Sequence, residues 1–385
     1  MKKTRLFCLL LALLLCLLPL SVHATPTADV TAPDLSAQCT SALLMEAGTG
    51  RVLYEHNADE ALPPASVTKI MTLLLVMEAI EAGQLSYTDT VTASANACSM
   101  GGSQIYLKEG EQMSVEDMLK SVVIASANDA AVALAEHIAG TEEAFVGMMN
   151  KRAGELGMKN THFENTNGLD DTVLNHVTSA RDIALMSQAL LRHERITQYS
   201  STWMDSIRDG AFGLTNTNRL VRFYRGATGL KTGSTAKARF CISASATRDG
   251  MTLIAVIMAA PTRDVRNAAA VSLLDFGFAN YTVYRDTPEL PAAIRLTGGT
   301  ADAVAPRADT FEAVVPRRAV GRIQKQINLP ESLAAPIGEG DSLGTVSYTL
   351  DGEPLGELDV YAASAVPKIR FGDVLLRLLS KMLTF

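Results

Sequence analysis

The sequence predicts an α+β protein: an antiparallel sheet that carries a helical lobe, followed by a small C-terminal β-domain and an amphipathic terminal helix. Strand patterns near the N-terminus and beyond Lys231 enclose a mostly helical middle section. Helical periodicity is then absent until the end of the chain, where it returns. The expected parts are a signal peptide at residues 1–24, a leader at 25–37, a main domain at 38–285, a β-domain at 286–365 and the terminal helix at 366–385.

Composition excludes several classes of protein. The 385 residues are 48% hydrophobic and 19% charged, which is typical of a globular chain rather than a disordered one. The net charge of −7 and the lack of a long basic run argue against nucleic acid as a partner. Neither His-Glu-x-x-His nor Cys-x-x-Cys occurs, so we expect chemistry without a metal or a cofactor.

The first 24 residues are typical of a secretory signal. Three basic residues precede an apolar run from Leu6 to Leu18, Pro19 breaks it, and Val22-His23-Ala24 supplies small residues where a signal peptidase cuts. An uncleaved anchor is the alternative, although the run is shorter than the roughly 20 residues of a spanning helix. We therefore expect export across the cytoplasmic membrane.

Three cysteines would stay in the mature chain, at Cys39, Cys98 and Cys241. Two of them could form one disulfide. Their wide spacing in the sequence instead favours small, buried, apolar side chains.

The first half of the main domain begins with a strand pair and continues as helices. Ser41–Met45 and Arg51–Glu55 indicate a hairpin. Ser66–Ala82 predicts a helix that is apolar all round and therefore buried. Ser114–Asp117 is typical of a capping box that opens a helix to about Ala125. Further helical patterns follow at Asp129–Ala139, Glu143–Leu156 and Ser179–Leu191.

Beyond Lys231 the apolar period changes to two. Phe240–Thr247 and Met251–Ala259 are β-rich runs joined by a hairpin signal. A helix from about Asp264 to Tyr281 follows. Pro and Gly are then frequent, and Leu350–Glu353 predicts another hairpin. We therefore expect a separate small β-domain.

The last segment has its charged residues on one helical stripe and apolar residues on the rest. A spanning orientation would place Arg377 and Lys381 in hydrocarbon at a cost of about 3 kcal/mol each. The net charge of residues 366–385 is +3, which favours anionic lipid. We expect this helix to lie on a membrane surface, with a helix docked on the β-domain as the alternative.

Ser66 and Lys69 form an S-x-x-K motif at the start of the apolar helix. Side chains at i and i+3 share a helix face, and burial lowers the pKa of an amine because it disfavours the charged form. A neutral Lys69 can then accept the Ser66 proton and make its oxygen a nucleophile. The spacing recurs at Ser234–Lys237, but only Ser66 begins a long apolar helix.

Two further motifs follow in the chain. Ser126-Ala127-Asn128 lies in a tight connection between helices, where capping would also explain Ser and Asn. Its copy, Ser94-Ala95-Asn96, falls in a small polar stretch, so Ser126 is the stronger candidate. Lys231-Thr232-Gly233 occurs once and supplies a cation, a hydroxyl and a glycine that lets a substrate backbone approach a strand edge.

In this order, the three motifs resemble the signature of the penicillin-recognising serine acyl-transferases. More specifically, the chain resembles the low-molecular-mass penicillin-binding proteins that are serine-type D-alanyl-D-alanine carboxypeptidases. The β-domain and the tail match that family's plan. Supporting segments are Thr49-Gly50, Pro64–Ser66, Ile105–Leu107, Asn128–Ala130, Gly168–Asp170, Thr215–Asn218 and Gly229–Gly233. The resemblance implies a β-lactamase/transpeptidase-like fold, with residues 38–285 as the penicillin-binding catalytic domain.

By this resemblance, Ser66 attacks the carbonyl between the two terminal D-alanines of a peptidoglycan stem pentapeptide, and Lys69 accepts its proton. Ser126 and Lys231 would pass the proton to the departing D-alanine. The backbone N–H groups of Ser66 and Ser234 would form the oxyanion hole. β-Lactams would be inhibitors, and the implied location is the outer face of the cytoplasmic membrane, the periplasm or the cell wall.

The resemblance also implies residues that bind the substrate. Arg266 matches the family's carboxylate-binding arginine, with Thr232 and Gly233 beside it, and Arg263 is a nearby competitor. Asn128 is a further substrate-binding residue.

Two positions depart from the family pattern. Ser234 stands where relatives carry His, although only its backbone is required. Arg239 stands where a small residue is common, near the expected substrate edge, and would narrow the choice of substrate. His176 belongs to a loop-to-helix segment that capping and packing explain.

Three alternatives are weighed against the carboxypeptidase. A serine β-lactamase shares the motifs but lacks the β-domain and tail, and residues 164–167 lack the continuation of the class A loop. A non-catalytic wall-binding protein on the same scaffold would not need the complete set of chemical residues. An endopeptidase that cuts cross-links would use the same groups.

Overall fold

An antiparallel sheet forms the centre of the first part of the molecule. The computed structural model describes residues 31–171 and 173–376. The strands of this sheet are β1 Ser41–Glu46, β2 Val52–His56, β7 Ala227–Thr235, β8 Arg239–Arg248 and β9 Met251–Ala260. They hydrogen-bond in the order β2-β1-β9-β8-β7, and all neighbouring pairs are antiparallel. The predicted antiparallel sheet is confirmed.

Helices cover both faces of the sheet. A 3-10 helix at Ala65–Thr68 leads directly into α1, and the predicted helix from Ser66 to Ala82 is therefore two elements. The helices are α1 Lys69–Glu81, α2 Ala95–Cys98, α3 Val115–Ile124, α4 Asn128–Ala139, α5 Glu142–Glu155, α6 Ala180–Leu191, α7 Arg195–Ser200, α8 Leu220–Phe223 and α9 Arg263–Asn280. Two short hairpins pair β3 Thr90–Thr92 with β4 Gln112–Ser114, and β5 Met204–Ile207 with β6 Phe212–Thr215.

Side-chain alternation in β9 explains why both faces are packed. Ile254 and Val256 belong to the core beneath the helical lobe, whereas Leu253 and Ala255 belong to the core beneath α9, because successive strand side chains point to opposite faces. Every residue from Lys69 to Met77 in α1 is buried, as its all-apolar pattern predicted. The start of α1 is therefore held by packing on all sides.

The C-terminal part is β-rich, as the sequence predicted. Its strands are β10 Tyr281–Asp286, β11 Ile294–Thr297, β12 Ala303–Val304, β13 Pro306–Arg307, β14 Phe311–Pro316, β15 Ile323–Asn328, β16 Ser332–Ala334, β17 Ser342–Leu350 and β18 Glu353–Ala362. They form the sets β10-β14, β12-β11-β16 and β13-β18-β17-β15. Stacked rings of Phe311 and Tyr348, with centroids 3.8 Å apart, lie in one of its cores. The expected boundary at 285/286 falls at the end of β10, whose partner β14 lies in the β-rich part.

Several sequence predictions fall wholly or partly outside the described residues. The signal peptide at 1–24 lies outside them, as do residues 25–30 of the leader and 377–385 of the terminal helix. Residues 31–37 contain no helix or strand. The terminal helix was predicted to begin at residue 366 but begins at 371, because Val366 and Lys368 form β-bridges with Ile337 and Gly299. None of the described helices has both the length and the apolar content needed to cross a bilayer.

Candidate active site

The nucleophile candidate lies at the entrance to α1. Ser66 is in the 3-10 helix and Lys69 is the first residue of α1, which places Lys69 Nζ 2.9 Å from Ser66 Oγ. The preceding residue, Ala65, has a φ of +49°. Such a backbone conformation is costly for a residue with a Cβ and is found where surrounding structure enforces it, often beside reactive groups. The turn therefore presents Ser66 in an enforced position.

Lys69 has the surroundings of a neutral amine. Its side chain is fully buried, and Nζ lies 2.5 Å from Asn128 Oδ1 and 2.9 Å from the Asn167 carbonyl oxygen. Burial lowers the pKa of Lys69 well below its ordinary value, and nearby Lys231 lowers it further while Asp129 opposes both. A neutral amine has two N–H donors and one lone pair. Donation to the two asparagine oxygens leaves the lone pair to accept the Ser66 hydroxyl proton.

The second motif fills the turn between α3 and α4. Ser126 has a φ of +63° and is buried, and its Oγ accepts a hydrogen bond from Lys231 Nζ at 2.8 Å. Asn128 Nδ2 donates to the Gly101 carbonyl at 2.6 Å, while its Oδ1 faces Lys69. The structure therefore brings Ser126 and Asn128 to the two lysines.

The third motif lies on β7. Lys231 is fully buried and also donates to the Thr232 carbonyl at 3.0 Å. Burial lowers its pKa to about 7, with a further contribution from Arg266. The Thr232 hydroxyl donates to Thr217 Oγ1 at 2.8 Å. The pKa of Lys231 is therefore close to neutral pH, where the amine can both donate and accept a proton. This property suits a group that relays a proton.

Gly233 is required by close approach of the chain's own backbone. A Cβ added there would lie 2.8 Å from the Ser66 nitrogen and 2.7 Å from the Pro64 carbonyl oxygen. The sequence argument assigned this glycine to a substrate approaching the strand edge, but the 3-10 helix already needs it. The next residue along β7, Ser234, is exposed. Gly233 therefore lets β7 pack directly against the turn that carries Ser66.

Arg266 lies in the first turn of α9 and is 2% exposed. Its guanidinium donates to the Cys241 carbonyl at 3.3 Å and to Asn267 Oδ1 at 2.8 and 3.1 Å. Cys241 is the cross-strand partner of Gly233, and burial lowers the Arg266 pKa to about 10. Arg263, the competitor, is exposed. The guanidinium of Arg266 thus lies beside β8, and its positive charge helps to lower the pKa of Lys231.

A segment that sequence reasoning left without a role, residues 164–176, forms another wall. A Cβ added to Gly168, whose φ is +85°, would lie 1.8 Å from the Ala65 carbonyl oxygen. His176 Nδ1 accepts the Glu164 N–H at 2.9 Å, so its proton is on Nε2, which donates to Thr68 Oγ1 at 2.7 Å. Burial lowers the His176 pKa to about 4. Neutral His176 and Gly168 therefore hold this segment against the turn of Ser66.

The same segment reaches across to β7. The hydroxyl of Thr235 donates to Asp170 Oδ2, and the Ala238 N–H donates to Thr235 Oγ1 at 2.9 Å. The Gly168–Asp170 segment was noticed as a family feature, but sequence offers no sign that Asp170 and Thr235 meet. The end of β7 is thereby fixed to the opposite wall.

Both decoy motifs have other surroundings. Ser94 caps α2 by accepting the Ala97 N–H at 3.0 Å, and its hydroxyl donates to Glu136. Lys237, three residues after Ser234, is exposed in the β7–β8 turn. Within residues 31–171 and 173–376, no three or more His, Cys, Asp or Glu side chains are arranged to hold a metal ion. The three cysteines are free, and two of them, Cys39 and Cys241, are buried.

Two family models and several curated proteins match this chain. A family model described as D-alanyl-D-alanine carboxypeptidase matches residues 27–262, and one described as the C-terminal domain of penicillin-binding protein 5 matches residues 298–368. The chain is 42% identical to D-alanyl-D-alanine carboxypeptidase DacF of Bacillus subtilis, over 88% of each chain. It is 35% identical to DacC of Escherichia coli, over 85% of this chain and 83% of that protein.

Solved structures are similar over comparable lengths. Penicillin-binding protein 5 of Haemophilus influenzae superposes with a TM-score of 0.76 at 31% identity, over 88% of this chain and all of that one. Penicillin-binding protein D2 of Listeria monocytogenes, solved in an ampicillin-bound form, gives a TM-score of 0.59 at 31% identity. That match covers 64% of this chain and 100% of the Listeria chain.

Proposed function

Because this chain belongs to the D-alanyl-D-alanine carboxypeptidase family of penicillin-binding proteins, we propose that Ser66 attacks the carbonyl between the terminal D-alanines of a peptidoglycan stem peptide. The chain is a D-alanyl-D-alanine carboxypeptidase with a role in the cell wall. The observation that carries the assignment to Ser66 is the buried amine of Lys69, whose Nζ lies 2.9 Å from Ser66 Oγ.

Acylation follows from this arrangement. As Ser66 Oγ bonds to the carbonyl carbon, its proton moves to Lys69 Nζ, and negative charge develops on the carbonyl oxygen. The N–H groups of Ser66 and Ser234 stabilise that charge, which exists only near the transition state. Ser126 and Lys231 relay that proton from Lys69 to the departing D-alanine amine, which leaves Lys69 neutral again. Water then attacks the acyl-enzyme, with Lys69 again as the base, and releases the shortened peptide.

Recognition of the substrate's C-terminus needs a cation. Lys231 and Arg266 supply positive charge on the Thr232 side of the nucleophile, and the Thr232 hydroxyl offers a hydrogen bond. Asn128 binds the substrate beside Lys69. A β-lactam carries a carboxylate next to its reactive amide and would acylate Ser66 through the same contacts.

Two measurements test the assignment. Purified protein should release one alanine from a stem pentapeptide, and penicillin should leave a mass adduct on a peptide that contains Ser66. Ser66→Ala should lose both, whereas Ser94→Ala, in the decoy motif, should keep both. Slow hydrolysis of the penicillin adduct is expected; fast turnover would instead identify a β-lactamase. A wild-type protein without an adduct would refute the nucleophile.

We propose further that the chain is exported and that its terminal helix lies on the membrane surface. Support comes from the signal pattern, from the +3 charge of residues 366–385, and from Phe371 and Leu376, which are 83% and 68% exposed. Sedimentation with anionic vesicles should weaken in a Phe371→Asp, Leu376→Asp variant. Leu174→Asp, which changes a 92% exposed leucine elsewhere, is the matched control. Equal sedimentation of all three proteins would refute the membrane helix.

A further inference from the structure

Two unpaired cations lie at the turn between β7 and β8. Lys237 and Arg239 are both exposed, and Arg239 holds a φ of +58°. Neither forms an ion pair or hydrogen bond through its side chain with any residue in the ranges 31–171 and 173–376. The turn is anchored, because Thr235 accepts the Ala238 N–H and donates to Asp170. The cations therefore project from a fixed position.

The direction of the bound peptide follows from the proposed function, on which this inference rests. The terminal carboxylate lies on the Lys231 and Thr232 side of Ser66, so the rest of the peptide must leave in the other direction. Along β7 that direction passes Ser234 and Thr235 and reaches the turn. The residue before the D-alanyl-D-alanine unit thus comes level with Thr235, about one strand residue, or 3.3 Å, beyond the attacked residue.

Distances allow contact with the cations. Arg239 is the cross-strand partner of Thr235. A peptide on the other edge of β7 would have its Cα about two strand spacings, or ~10 Å, from that of Arg239. An arginine side chain and a long acidic side chain, each at about 1.5 Å per bond, can together close this gap. Lys237, at the tip of the turn, has comparable reach.

Asp170, whose Oδ2 accepts the hydroxyl of Thr235, forms no ion pair with either of these two cations among the described residues. Arg263, also exposed, begins α9 directly after β9, and the first residues of β8 pair with the last residues of β9. Arg263 is thus a third exposed cation at this end of the sheet, with the acid Asp264 next to it in α9.

We propose that Lys237 and Arg239 bind a side-chain carboxylate on the residue that precedes the D-alanyl-D-alanine unit. The enzyme then prefers stem peptides with a dicarboxylic amino acid at that position over peptides with a neutral amide or an amine there.

The test uses two synthetic peptides that differ in one group. They are acetyl-X-D-Ala-D-Ala with X as 2-aminopimelate or as its side-chain amide. We expect the wild type to have a kcat/KM about two- to fivefold higher for the carboxylate peptide, a ratio appropriate to exposed charge pairs, and we expect added salt to reduce it. In Arg239→Glu the ratio should fall to one or below, and Lys237→Gln should lower it partly.

Controls separate this inference from the proposed function. Arg295→Glu changes an exposed cation in β11 of the C-terminal part and should keep the wild-type ratio. Penicillin labelling of Ser66 identifies each variant as folded. A wild-type ratio of one, or an unchanged ratio in labelled Arg239→Glu, overturns the cation site while leaving the carboxypeptidase assignment intact. Failure of the wild type to cleave either peptide or to be labelled overturns the function itself.

Discussion

Removing the charge of Lys231 should stabilise the protein while it abolishes activity. Lys231 is fully buried, and burial lowers its pKa from 10.5 to about 7. The change Lys231→Met replaces the ammonium with an unbranched apolar side chain of similar length. Burial destabilises the ammonium of Lys231 in the folded state, whereas water solvates it in the unfolded state. The wild type therefore loses folding free energy that the Lys231→Met variant keeps.

The magnitude follows from the two pKa values. Each unit between them corresponds to 1.36 kcal/mol, so burial of protonated Lys231 costs about 5 kcal/mol below pH 7. At pH 9 the folded protein already holds the neutral amine, and the remaining cost is about 2 kcal/mol, since pH 9 lies roughly 1.5 units below 10.5. The unfolded state binds more protons throughout this window, so wild-type stability rises with pH. The advantage of Lys231→Met should therefore shrink by about 3 kcal/mol between pH 6 and pH 9.

Urea unfolding at both pH values measures this difference. The variant also loses the hydrogen bonds from Lys231 to Ser126 and to the Thr232 carbonyl, at about 1–3 kcal/mol. That loss is nearly independent of pH, so the change in advantage with pH isolates the charge. Lys151→Met, at a side chain 80% exposed, should show no such change. An advantage that is equal at pH 6 and pH 9 would mean that Lys231 keeps an ordinary pKa, and the argument would be wrong.

Three further outcomes are expected. Gly168→Ala should slow penicillin acylation of Ser66 at least tenfold and lower Tm, because the new Cβ would lie 1.8 Å from the Ala65 carbonyl; a normal rate would exclude that contact. The kcat/KM for a peptide with a free carboxylate should fall above about pH 7 as Lys231 loses its proton, and the fall should move to higher pH in Lys231→Arg, whichever absolute rate that variant has. Asp170→Ala and Thr235→Val each remove the hydrogen bond between these two residues, so a double-mutant cycle on acylation rate should find the double variant no slower than the slower single variant; additive losses would refute the pairing.

The periodic elements of the fold could be predicted because local patterns determine them. The β8–β9 hairpin and the buried helix α1 could each be predicted from the spacing of apolar residues and from the turn residues beside them. The 3-10 geometry at Ala65–Thr68 could not be predicted, since it depends on β7 and on residues 164–176 packing against the turn. Short elements such as α8 and the β5–β6 hairpin were missed because few residues carry their pattern.

Residue spacing in the sequence predicts one part of the active site, and the fold brings the other part together from distant positions. Ser66 and Lys69 are one helical turn apart, so their meeting could be read locally. The oxygen atoms that orient the Lys69 amine come from positions 59 and 98 residues away, at Asn128 and Asn167, and no local pattern specifies them. Two glycines make the same point. A Cβ at Gly168 would clash with the Ala65 carbonyl oxygen, and a Cβ at Gly233 would clash with the Ser66 nitrogen. The turn that carries Ser66 therefore packs between two segments, each of which requires glycine at the contact.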